Sequence, residues 1–285
     1  MKTLKHSFKS RALGIAAGLS LLGAASAQAD MIDGIVDVWT VDVSAEFLCG
    51  TAQWTSGTAN TSCASQSMRW GTGNSGQSGL DITNLPATQV TTNGAAVANV
   101  GVTHRNRPIN GSSLDSVTLR STLTLTPFMP ASAEPSVGPN SLDFLIDFLE
   151  TDNGANPCAN GQANNQGVNA DGCADIFVID RNALNFPFFF DLDGAGGPLQ
   201  NQEYFISFFE LTNGLNPLAE AACNAAGADN PCLGFLTPEG QDTPFQFAAV
   251  ITTERVVIDV PAPATLALFG IAMAGLGLFS RKRRA

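Results

Sequence analysis

The segment 116–126, Ser-Val-Thr-Leu-Arg-Ser-Thr-Leu-Thr-Leu-Thr, alternates with a period of two, which suits a half-buried strand and no helix. Val117, Leu119, Leu123 and Leu125 share one face, with Arg120 and the threonines largely on the other. Shorter runs of Phe, Ile and Val at 35–43, 142–149, 175–180, 186–191, 202–211 and 245–258 repeat the texture, punctuated by Gly, Asn and Pro. Strands at this density predict an all-β body, an antiparallel β-sandwich of jelly-roll-like type with disulfide-closed loops. One helical turn is expected at 218–224, and 131–140 is read as a long inter-strand loop.

Both ends read as targeting segments. Lys2, Lys5, Lys9 and Arg11 precede an apolar stretch at 12–25, and Ala27-Gln28-Ala29 predicts cleavage before Asp30. At the other end Val260-Pro261-Ala262-Pro263 leads into an uncharged span, 262–280, and then Arg281-Lys282-Arg283-Arg284. That span is close to the ~20 residues a membrane-crossing helix needs. The basic cluster should stay cytoplasmic, placing the body outside the inner membrane. The expected organisation is a signal peptide at 1–29, an extracellular body at 30–259 and a sorting tail at 260–285. The order of elements in the tail resembles the PEP-CTERM sorting signal, with Ala262 where a Glu is usual. The resemblance implies an exosortase-type enzyme as partner, transient anchoring in the inner membrane, and release to the cell surface or beyond.

Charge sharpens this reading. Of 14 Lys and Arg, four lie in the leader and four in the tail, leaving six arginines against 25 acidic residues, a body of about −19 with no lysine. Nucleic acid is therefore excluded as a partner, since it needs a cationic surface. Exopolysaccharide, met through divalent cations, is the expected one.

Six cysteines in an exported chain read as disulfides. Fifteen connectivities are open, but the local set Cys49/Cys63, Cys158/Cys173 and Cys223/Cys232 closes Gly-, Asn- and Ala-rich loops that would otherwise be floppy. Zinc is disfavoured, because no C-x-x-C occurs and the body has one histidine, His104.

The run Gly101-Val102-Thr103-His104-Arg105-Asn106-Arg107-Pro108, with Met68-Arg69-Trp70-Gly71 and Gly172-Cys173-Ala174-Asp175, resembles the signature of the THxN family of PEP-CTERM proteins. That resemblance implies a sorted, secreted protein and carries over no activity. Thr103, His104 and Asn106 beside a proline are expected to form a structural turn. Arg105 and Arg107 as a clamp for a uronic acid is the competing reading. Asp143, Asp147, Glu150 and Asp152 could contain a glycosidase carboxylate pair, although Asp143 and Asp147 fit the solvated face of a strand. Asp191-Leu192-Asp193-Gly194 begins like a calcium loop but lacks its distal Glu, so a tight turn is favoured over weak Ca²⁺ binding at Asp191 and Asp193. Trp39, Trp54 and Trp70 are either sugar platforms or sandwich core. The expected function is a non-enzymatic surface or matrix protein, without cofactor, associated with exopolysaccharide or biofilm; a carbohydrate-binding module is the alternative.

Overall fold

A computed structural model describes residues 34–179, 185–194, 201–212 and 216–256. The signal-cleavage residues Ala27, Ala29 and Asp30, the sorting residues Val260, Pro261, Ala262 and Pro263, and the expected tail helix lie outside the described residues. Among the described residues no helix is long and apolar enough to cross a membrane.

The described strands are β1 (Val38–Phe47), β2 (Gln53–Trp54), β3 (Ser62–Ala64), β4 (Ser67–Trp70), β5 (Ser78–Asn84), β6 (Thr88–Thr91), β7 (Val97–Arg105) and β8 (Leu114–Met129). They continue as β9 (Val137–Leu149), β10 (Asp175–Ile179), β11 (Phe186–Phe190), β12 (Gln202–Glu210), β13 (Asn216–Pro217), β14 (Leu233–Thr237) and β15 (Asp242–Thr252). One antiparallel sheet has the order β13-β14-β10-β9-β8-β1-β6, with β2 also paired to β8; the other runs β11-β12-β15-β7-β5-β4-β3. The two curled sheets share a single main core that takes Trp39, Val41 and Phe148 from the first and Trp70, Leu80 and Phe245 from the second.

Period-two patterning explains which faces meet. Along β8, Val117, Leu123 and Leu125 are buried, while Arg120 turns outward and lies in register with Asp143 of β9. Arg120 Nε and Nη2 each donate to that carboxylate at 2.7 Å, so Asp143 belongs to the outer face of β9. The one described α-helix, α1 (Glu220–Ala225), falls where a helical turn is expected. The 131–140 stretch is shorter as a loop than expected, because β9 starts at Val137 and pairs with the end of β8.

The cysteines join as Cys49–Cys63, Cys158–Cys173 and Cys223–Cys232. The first ties the end of β1 to β3, bridging the two sheets. The second closes the β9–β10 connection, and the third clips α1 to the approach to β14.

The main core is not completely filled. A cavity of about 80 Å³ lies among Leu80, Phe144, Phe208 and Phe245. Asn99 faces it with neither amide atom hydrogen-bonded, at the point where the β7–β15 register shifts.

Candidate functional site

Five strand ends converge at one rim of the molecule: the C-terminal ends of β4, β7, β9 and β14 and the first residue of β10. They bring together Trp70, His104, Glu150, Thr237, Asp175 and, two residues past β14, Glu239. Gly71 lets the chain leave β4, with φ at +72° and Ile109 packed so close that a Cβ would sit 2.3 Å from its Cδ1.

Here the expectation for the Thr-His-x-Asn segment is corrected. It is not a turn: Thr103 and His104 lie inside β7, where His104 is in register with Leu80 of β5 and Thr243 of β15. Strand alternation aims His104 and Asn106 into the interior, where both are fully buried, and leaves Thr103 and Arg105 half-buried. The His104 ring stacks on Trp70 at 5.9 Å and meets Phe177 edge-on at 4.8 Å. Its Nδ1 is 3.0 Å from Thr237 Oγ1. Asn106 Nδ2 donates to the Thr237 carbonyl at 3.1 Å.

Against this platform sit three carboxyl groups. One ligand oxygen from each of Glu150, Asp175 and Glu239 lies within 4.8 Å of the other two. Glu150 accepts from Trp70 Nε1 at 2.8 Å, and Asp175 Oδ1 accepts from the Thr151 amide at 2.9 Å. Asp175 Oδ2 faces His104 Nε2 at 3.9 Å, too far for a hydrogen bond. Neither of those atoms has any partner, and Glu239 Oε2, Asn106 Oδ1 and Asn153 Oδ1 are likewise buried and unpartnered.

Electrostatics follow from the enclosure. Burial raises Asp175 well above the ordinary carboxyl range, and the Glu150 and Glu239 charges push the same way. Glu150 is raised to about 8 by burial, against the Trp70 hydrogen bond and with the Glu239 charge. Glu239 is raised mainly by burial. Burial, with the nearby Arg107 charge, takes His104 down to about 3, so the imidazole is neutral at physiological pH.

The other expected site residues lie apart from this cluster. Arg105 Nε bonds Asp81 at 2.6 Å, Arg69 bonds the same carboxylate at 2.7 Å, and Arg107 bonds Asp242. The arginines are therefore spent on the protein's own carboxylates rather than poised as a clamp. Asp143 and Asp147 stay on β9, and only Glu150 of that acidic group joins the rim. Asp191 and Asp193 follow β11, outside the three-carboxylate group. Trp39 and Trp70 are fully buried, so neither offers a sugar platform; Trp54 is half-buried. Beside the rim runs a polar groove of about 820 Å³, lined in part by Asn74, Asn110, Thr151, Asp152 and Asn153.

Sequence reasoning missed Asp175 and Glu239. Asp175 carried a usable signal, a lone acid opening an otherwise apolar strand directly after Cys173-Ala174. Glu239, in Pro238-Glu239-Gly240, reads only as a turn residue.

An all-β body with three disulfides defines the class of protein as far as fold goes. The comparison with known families adds its address: the PEP-CTERM protein-sorting motif matches residues 259–284, Ala262 notwithstanding. Such a motif implies an exported protein, processed by exosortase and sorted to the cell surface or extracellular space. No curated protein matches the chain.

Proposed function

We propose that this is a non-enzymatic component of the cell surface or extracellular matrix, of the THxN type, that associates with exopolysaccharide after passing transiently through an inner-membrane-anchored stage. The sorting motif supports delivery, and the observation that carries the matrix role is how the cations are used. Among the described residues Arg69, Arg105, Arg107 and Arg120 are all ion-paired within the protein, and Arg255 lies 4.8 Å over the Phe205 ring. A body so acidic, with its cations engaged, meets an anionic polymer through divalent cations rather than directly.

Washing intact host cells with a chelator tests this. Release of the protein together with polysaccharide, reversed by restoring calcium or magnesium, is the expected result. Retention through chelation would overturn the matrix role.

The groove beside the rim favours a second reading, a carbohydrate-binding module. Its amide and hydroxyl lining suits sugar hydroxyls. A glycan array decides between the two: saturable binding to a neutral oligosaccharide, lost in Asn110→Ala, would favour the module.

A further inference from the structure

The rim has a surplus of acceptors and a shortage of donors. Three carboxylates share a space where Asp175 is fully buried and Glu239 only 2% exposed, and burying a charge is tolerated when it is paired or bound to a metal. Among the described residues no arginine lies within ion-pair distance of any of the three.

His104 makes the shortage specific. The Thr237 hydroxyl reaches the Asp175 backbone oxygen at 3.5 Å, which spends its one proton and leaves its oxygen to accept from Nδ1–H of His104. On this tautomer Nε2 is a bare lone pair, fully buried and aimed at Asp175 Oδ2, an equally bare oxygen 3.9 Å away. Two facing lone pairs repel unless something positive lies near them. Asn106 Oδ1 and Glu239 Oε2 repeat the pattern, acceptors with no donor.

We propose that Glu150, Asp175 and Glu239 bind a divalent cation, and that the ion is calcium. The primary donors are hard carboxylate oxygens, the set calcium selects, rather than the nitrogen and sulfur ligands of a zinc site. Calcium–oxygen bonds of about 2.3–2.6 Å put opposed ligands about 4.8 Å apart, the span that contains all three ligand atoms here. Magnesium, at about 2.0–2.1 Å, would require the carboxylates to close in further. Calcium's higher coordination number also has takers, in the unpartnered amide oxygens of Asn106 and Asn153. Entry is available because Glu150 is only partly buried and the next three residues line the open groove. The disulfide Cys158–Cys173 ends two residues before Asp175 and holds the loop that carries Thr151, so the site is braced covalently. Trp70, whose indole N–H donates to Glu150, and Thr151, whose amide donates to Asp175, act as positioning residues.

This site stands apart from the matrix role: protein that stays on chelated cells would remove that role and leave the site untouched. The test is calorimetric titration of the purified protein, stripped with chelator, against calcium, magnesium, manganese and zinc chlorides in turn. One calcium per chain is expected, bound at least ~10-fold more tightly than magnesium, with a rise in melting temperature that grows with calcium concentration. Glu150→Gln keeps an acceptor for Trp70, and Glu239→Gln keeps one for its neighbours; each should weaken calcium at least ~10-fold while the stripped variants melt at or above the parent. Asp191→Asn should change nothing. No calcium response, a response lost in Asp191→Asn but kept in Glu150→Gln, or zinc bound more tightly than calcium and dependent on His104 would each overturn the proposal.

Discussion

Trp39 and Trp70 are both fully buried, yet their surroundings solve the burial problem in opposite ways. Around Trp39, the Phe188, Phe190 and Tyr204 rings meet the indole edge-on at 5.2–5.4 Å. Its Nε1 donates to Thr92 Oγ1 at 3.2 Å, and the Tyr204 hydroxyl accepts from the Val36 amide at 2.8 Å. The polar atoms named there are satisfied, and apolar packing does the holding. Around Trp70 the aromatic platform is similar, but its indole donates to a carboxyl, and the neighbouring acids and imidazole keep atoms with no partner. Of the disulfides, Cys158–Cys173 stands at the rim, two residues before Asp175, whereas Cys223–Cys232 lies at the opposite end of the β10–β14 pair, where Leu233 faces Ile179, within a smaller apolar cluster. Native folds rarely leave so many buried acceptors unpaired without a use for them.

The contrast breaks most visibly at Trp39. Trp39→Ala should cost about 4 kcal/mol, the middle of the range for large aromatics in a packed core, read as a lower urea midpoint with an unchanged response to calcium. Replacing both Cys158 and Cys173 by Ala should cost about 3 kcal/mol for a closed loop of this length and should also weaken the cation response, because the braced loop carries the site. Asp175→Asn should move the other way: in chelator near neutral pH it should gain about 1–2 kcal/mol, because it removes a carboxyl whose ionisation is opposed by burial and by the Glu150 and Glu239 charges. Its new amide can donate toward His104 Nε2, and calcium should then add nothing.

The smallest effect lies outside both clusters, at Asp81. Burial raises its pKa, but the hydrogen bonds from Arg105 and Arg69 and their charges outweigh this, and the net shift is downward. A carboxylate with a depressed folded pKa contributes stability that is complete above the ordinary carboxyl range and is lost as pH falls through the folded value. Asp81→Asn should therefore cost about 1 kcal/mol near neutrality, and its urea midpoint should converge on that of the parent protein in strong acid.

How much of this was readable beforehand differs between the two regions for a physical reason. The core follows local patterning: the alternation at 116–126 predicts the buried face of β8, and the Phe-rich runs at 186–190 and 202–210 become the strands that wall in Trp39. The disulfides were also readable, because each closes a short local loop. The rim was not, because it is assembled from five strand ends far apart in sequence. His104 was visible as the body's one histidine, yet its neighbours Pro108 and Asn106 suggested a turn where the chain runs on as strand. Glu150 was visible only as one acid among four. No local pattern distinguishes it from Asp143, whose partner Arg120 lies on the adjacent strand. Asp175 and Glu239 acquire meaning only when β10 and β14 pair.

The claim that the unpaired rim is a cation site is tested most directly by a crystal structure of the protein grown with calcium. The account predicts density between Glu150, Asp175 and Glu239 with oxygen distances of about 2.3–2.6 Å. Carboxyl groups hydrogen-bonded directly to one another, with no ion among them, would contradict it.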